Sequence, residues 1–92
     1  MAVVLDIGDG VGALVLYLPA AYRGREIEVS PVGDEGRRTH TGALERRTAR
    51  GAFCAAVYPA LAEGWWRIWG DDPALPSRAL IESGAVSEVD WR

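Results

Sequence analysis

Lysine, asparagine and glutamine are absent from this chain of 92 residues, and cysteine, histidine, methionine and phenylalanine occur once each. A lone cysteine, Cys54, forms no internal disulfide, so the fold needs no oxidising compartment. One histidine and one cysteine fall short of the three or four ligands that zinc takes at defined spacings, and no metal or cofactor is expected. No apolar stretch approaches the roughly 20 residues of a membrane-crossing helix. Positive charge is scarce: ten arginines face 13 acidic residues, for a net charge of −3. A domain that neutralises nucleic-acid phosphates carries a basic excess, so nucleic-acid binding is not expected. The first residues lack a basic stretch and meet Asp6 too early for a secretory leader, which reads as cytoplasmic.

What remains is a half-apolar composition, 49% hydrophobic and 25% charged, sufficient for one small globular domain. Its dominant period is two. Short runs rich in Val, Ile, Leu, Trp and Tyr recur about every ten residues between Gly, Pro and Asp clusters, the pattern of an all-β sandwich or barrel. The runs are Ala2 to Ile7, Gly12 to Leu18, Arg25 to Ser30, Phe53 to Tyr58, Trp65 to Trp69, Ser77 to Glu82 and Ala85 to Trp91. Gly12 to Leu18 is almost wholly apolar, which predicts a strand covered on both sides. Ile27 and Val29 alternate with Glu26, Glu28 and Ser30, which predicts a strand with one wet face. Pro19 to Gly24 reads as a loop or short helical turn, and Pro59 to Gly64 as a connection. Arg37 to Thr48 is long and polar, and reads as one strand turning at Arg50-Gly51 into the next.

Leu61, Gly64, Trp66 and Ile68 fall at positions 0, +3, +5 and +7 of one segment. This spacing resembles the L-x-x-G-x-Y-x-V corner of prealbumin-like β-sandwiches, among them carboxypeptidase regulatory-like modules. The resemblance continues through Leu80-Ile81-Glu82-Ser83-Gly84 and Val89-Asp90-Trp91, covering roughly the last 40 residues well. It implies a seven- or eight-stranded antiparallel β-sandwich in which Gly64 turns the chain, Leu61 plugs one end, and Trp66 and Ile68 enter the core. It says little of function, because such modules serve as spacers, stabilisers and binding platforms. The whole chain also resembles small actinobacterial proteins, through Arg38-Thr39-His40-Thr41 and Ala55-Ala56-Val57-Tyr58-Pro59, some of which carry a phospholipase label.

The residues give hydrolysis little support. His40 is the one imidazole available to a Ser-His-acid triad, and none of Ser30, Ser77, Ser83 and Ser87 lies in a Gly-x-Ser-x-Gly elbow. The transthyretin-like hydrolases of purine breakdown resemble this sandwich but carry several histidines and a C-terminal Tyr-Arg-Gly-Ser; here Tyr22-Arg23-Gly24-Arg25 is internal. Asp9, Asp71 and Asp72 fit turn chemistry better than a calcium loop. Gly8-Asp9-Gly10-Val11-Gly12 is not a dinucleotide fingerprint, having no helix behind it.

Two features point to binding. Arg37, Arg38, Arg46, Arg47 and Arg50 hold half of the basic charge within 14 residues. If this segment is one strand, Arg38 and Arg46 share one face and Arg37 and Arg47 the other. With His40 they form a strip for a carboxylate, a phosphate or an acidic partner. Alternatively they pair with Glu26, Glu28 and Glu45 across strands and protect a sheet edge. The second feature is the face carrying Trp65, Arg67 and Trp69. It is either an open aromatic platform or a surface covered by a loop or a second subunit. The sequence therefore predicts a non-enzymatic interaction module, meeting another protein or its own copy through a sandwich face. An anion-binding domain and an esterase-like hydrolase are the alternatives.

Overall fold

The computed structural model describes residues 7–92. Glycine and aspartate between Gly8 and Gly10 take positive φ and turn the chain into β1 (Val11–Leu18). Pro19 ends that strand, and a single 3-10 turn (Ala20–Tyr22) leads to β2 (Glu26–Pro31). There follow β3 (Thr39–Gly42), β4 (Leu44–Thr48), β5 (Gly51–Ala62), β6 (Gly64–Ile68), β7 (Arg78–Ile81) and β8 (Val86–Asp90). They form two four-stranded sheets, a first of order β4-β5-β1-β8 and a second of order β3-β2-β6-β7. The all-β sandwich expected from the alternation is what the chain forms.

The core is the apolar layer between the sheets. Leu14, Leu16 and Leu18 of β1, with Cys54, Ala56 and Tyr58 of β5, face Ile27, Val29, Trp66, Ile68 and Ile81 of the second sheet. Trp91 closes one end, donating its indole N–H to the Pro76 carbonyl at 2.7 Å. Leu61 closes the other beside Gly64, which at φ +128° turns the chain from β5 into β6 and hence from one sheet to the other. The corner thus has Leu61, Trp66 and Ile68 buried as expected. Tyr58 on β5 donates its hydroxyl to the Ile27 carbonyl on β2 and so ties the two sheets together.

The expected run Ala2 to Ile7 lies, apart from Ile7, outside the described residues. Three local expectations are corrected. Arg37 to Thr48 is not one strand: β3 pairs with β2 and β4 with β5, so the segment changes sheet at Ala43. Ala43 is fully buried, its N–H bonded to Arg25 O and its carbonyl to Gly24 N, both at 2.8 Å. The crossing therefore leaves no backbone group orphaned. Pro59 does not end its strand. The register steps from Leu14↔Tyr58 to Gly12↔Leu61, so β5 carries one extra residue there, and a bulge is where a strand accommodates proline. Lastly, β8 pairs with β1 in parallel, while the other pairings among the described residues are antiparallel.

Gly12 is required by close approach. A Cβ there would overlap the Glu82 carbonyl oxygen and lie 3.0 Å from that of Ala85. Both are backbone atoms of the β7–β8 turn and yield little. Gly12→Ala is expected to lower stability by roughly 1–3 kcal/mol, the range for overpacking, as read from the urea midpoint.

Burial holds the Tyr58 phenol well above the ordinary tyrosine pKa of 10.0. The neutral phenol is the folded form. Its stabilisation is therefore complete below the unfolded pKa and is lost as pH rises past it toward the folded value. Urea midpoints measured from neutral pH into the alkaline range should fall from about pH 10 upward. In Tyr58→Phe, which starts about 1 kcal/mol less stable, that alkaline fall should be shallower.

Candidate functional site

In β2 the side chains of Ile27 and Val29 point into the core, so Glu26, Glu28 and Ser30 stand on the outer face of the second sheet. The register carries this outward set to His40 on β3 and Arg67 on β6. Just past β6, Trp69 lies back over the same face, its backbone N–H bonded to Glu28 O at 2.9 Å and its indole N–H to Ser30 Oγ at 3.0 Å. Ser30, fully buried, is thereby satisfied. The guanidiniums of Arg38 and Arg67 lie 3.7 and 3.6 Å from the Trp69 ring centre. Each also reaches a carboxylate at 3.1 Å, Arg38 that of Glu28 and Arg67 that of Glu35. Arginine suits this position because its planar, weakly hydrated cation stacks on a ring while donating in-plane hydrogen bonds.

The two tryptophans therefore do not make a shared platform. Trp69 is covered by the chain's own arginines, whereas Trp65, 54% exposed, stands opposite Leu80 in register. The arginine strip is divided as well. Arg37, Arg38 and His40 lie at the second sheet; Arg46 and Arg47 lie on β4 of the first. Arg37 faces Asp34 at 3.9 Å and Arg47 faces Glu45 at 3.1 Å. His40 Nε2 is 3.9 Å from Glu26 on an exposed face. A hollow of about 240 Å³ beside Trp69 is lined by both signs of charge, with Arg25 and Arg38 against Glu26, Glu28 and Asp71. Among the described residues no group of His, Cys, Asp and Glu is placed to hold a metal ion, and no helix is long and apolar enough to cross a membrane.

The outer face of the first sheet was not singled out in the sequence, and it is the more apolar of the two. With Leu14, Leu16 and Leu18 turned inward, Ala13, Val15 and Tyr17 turn outward. Beside them in register are Ala55 and Val57 of β5 and Leu44 of β4, with Phe53 packed on Tyr17 at 5.7 Å between ring centres. Ala13 and Ala55 are shielded by these taller neighbours. Leu44 and Val86, at opposite edges, are 52% and 45% exposed. The rim is charged: Arg46 on β4 at one edge, Glu88 and Asp90 on β8 at the other. Tyr17 donates its hydroxyl to Glu88 at 2.7 Å, and that carboxylate raises the phenol pKa. Arg92 bonds Asp90 and holds its carboxyl below the ordinary range. The sequence did carry the signal, in the unbroken apolar run Gly12 to Leu18, but could not say what lies over its second side.

No family model matches the chain, and no curated protein or solved structure matches it significantly.

If Trp69 is a structural cover for Ser30, Trp69→Leu should cost about 1–2 kcal/mol, from the lost indole hydrogen bond and cation–π contacts. The variant's solution mass by light scattering should equal that of the wild type. A change in mass would make Trp69 an interface residue.

Proposed function

We propose that the protein is a non-enzymatic interaction module, docking a protein partner or its own copy through the outer face of the β4-β5-β1-β8 sheet. The observation that carries this reading is the continuous apolar surface of Leu44, Phe53, Val57, Val15 and Tyr17 across three adjacent strands. A sheet face of a folded domain is normally apolar on its core side and polar on the other. Here both sides of β1 and β5 are apolar, and contiguous apolar patches of this kind mark interaction surfaces.

The other readings have less behind them. Arg37, Arg38 and Arg47, the cations an anion would recruit, already face Asp34, Glu28 and Glu45. For hydrolysis, Ser30, on the strand beside His40, is buried with its Oγ accepting from the Trp69 indole N–H, Ser83 Oγ accepts from Gly10 N–H, and Ser87 Oγ donates to Leu80 O. The prealbumin-like reading rests on the Leu61–Gly64–Trp66 corner and concerns architecture alone.

The test is a pair of charges placed in the middle of the face. A Val15→Lys/Val57→Lys variant should stay folded, with a urea midpoint near that of the wild type, because both residues lie outside the inter-sheet core. Its second virial coefficient, measured in salt that screens the change in net charge from −3 to −1, should become more positive, reporting lost self-attraction. Unfolding of the variant would put these valines in the core, and an unchanged coefficient would leave the face without an interaction; either outcome ends the reading.

A further inference from the structure

We propose that Asp9–Gly10 is a site of aspartyl isomerisation, restrained in the folded protein by the Ser83 hydroxyl, which holds the Gly10 backbone nitrogen. The proposal is independent of the docking reading.

The sequence narrows the chemistry first. With asparagine absent, a succinimide ring in this chain starts from aspartate. The ring forms when the backbone nitrogen of the next residue reaches the aspartyl Cγ, and a side chain on that residue obstructs the approach. Asp9 is the aspartate followed by glycine; the others precede Ile7, Glu35, Asp72, Pro73 and Trp91. Pro73 has no backbone N–H to lose. Asp90 is held at both oxygens by Arg92, and the Trp91 N–H is bonded to Tyr17 O at 2.8 Å.

The fold then sets how the reacting atoms are held. Gly8 and Val11 exchange both backbone hydrogen bonds, at 2.8 and 3.1 Å. Asp9 and Gly10 are therefore the central pair of a tight turn, with φ of +52° and +86°. Positive φ at both positions is the hairpin turn for which Asp-Gly is a preferred pair. The pair that suits this turn is also the pair that cyclises most readily. Asp9 itself is exposed, but Gly10 is clamped from two sides. Its N–H donates to Ser83 Oγ at 2.9 Å, and its carbonyl accepts from Glu63 N–H at 2.8 Å. Ring closure swings the Asp9–Gly10 peptide until its nitrogen faces Asp9 Cγ. That rotation breaks the Ser83 bond and opens the turn, so local opening governs the rate.

The step needs no co-reactant but water. The Gly10 nitrogen loses its proton and bonds to Asp9 Cγ. The protonated carboxyl gives up its OH, which leaves with that proton as water and closes the succinimide. Water then adds at either ring carbonyl, and nothing is oxidised or reduced. Addition at Cγ restores aspartate. Addition at the former backbone carbonyl gives isoaspartate, whose main chain runs through the side-chain carboxyl and is one carbon longer. The α-carboxylate so freed is the group that isoaspartyl carboxyl methyltransferases esterify. The extra carbon does not fit a two-residue turn, so the modified chain loses the contacts of Gly10 with Glu63 and Ser83.

The experiment ages wild type, Ser83→Ala and Ser83→Thr in warm neutral buffer. Isoaspartate is counted by enzymatic methyl transfer to its carboxyl and located by peptide mapping. In the wild type it should accumulate at Asp9–Gly10 ahead of the other aspartates. Ser83→Ala should gain it about fivefold faster, the factor by which one net hydrogen bond shifts an opening equilibrium. Ser83→Thr, which keeps the hydroxyl, should run at the wild-type rate. In urea above the unfolding midpoint the three chains should react at one common rate, faster than the folded wild type. Isoaspartate arising first at another aspartate overturns the site. Equal rates for folded Ser83→Ala and wild type overturn the restraint, as does an acceleration that the other aspartates share, which marks global unfolding. If Ser83→Ala does not fold, the wild type decides: an equal rate at Asp9 with and without urea overturns the restraint.

Discussion

Leu14, Leu16 and Leu18 packed against Ile27, Val29, Trp66 and Ile68 across the two sheets are the constraint from which the protein's surfaces follow. Side chains on a strand alternate between faces, so fixing the inward set fixes the outward one, and a slip of one residue would exchange them. Once the leucines of β1 are inside, Val15 and Tyr17 must be outside. Once Trp66 and Ile68 are inside, Trp65 and Arg67 must be outside. The outer faces are thus consequences of the core. The chain holds this arrangement at two of the four places where it passes between sheets, Ala43 and Gly64, and by the Tyr58 hydroxyl that joins β5 to β2. A small sandwich has little core to spare, so these backbone-satisfied passages keep the two layers from shearing.

The two outer faces meet water in different ways. On the second sheet Trp69 is capped by Arg38 and Arg67, each held by a carboxylate, while Trp65 and Leu80 toward the β7 edge stay exposed. The network neutralises itself, presents charge to solvent and keeps β3 from offering a bare edge. On the first sheet, among the described residues, Arg92 lies over Tyr17 at one end, no arginine stacks on Phe53, and Leu44 is exposed at the β4 edge. The arginines that look alike in sequence therefore do different work. Those on β3 and β6 cover an aromatic ring, while Arg46 borders an apolar field.

Much of the architecture was legible because alternation is local. Ile27 and Val29, Trp66 and Ile68, and the glycine corner announce their faces within five or eight residues. What could not be read depends on distant parts of the chain. Nothing within Arg37 to Thr48 reveals that β3 and β4 pair with different sheets, since the passage at Ala43 is stabilised by Gly24 and Arg25. Pro59 looked like a strand end because the bulge that admits it is defined only by its register against β1. The parallel pairing of β8 with β1 joins strands some 70 residues apart. The candidate site suffered most. Arg38, Arg67 and Trp69 were named, but their convergence on one ring is a tertiary fact. The apolar field of the first sheet was half visible, as a run that needed a cover on both sides.

Charge segregation along the chain takes on meaning only through topology. Half of the arginines fall between Arg37 and Arg50, while acidic residues are spread along the chain. The fold divides those arginines between the two sheets and sets β4, which carries Arg46, and β8, which carries Glu88 and Asp90, at opposite edges of one sheet. Rim charges exposed to solvent and salt contribute little affinity, which the apolar strip must supply. Their effect is on orientation, through the cost of opposing like charges in the wrong arrangement. On an apolar sheet face with charges at its rim, the apolar strip sets whether a partner is held and the rim sets how it is turned.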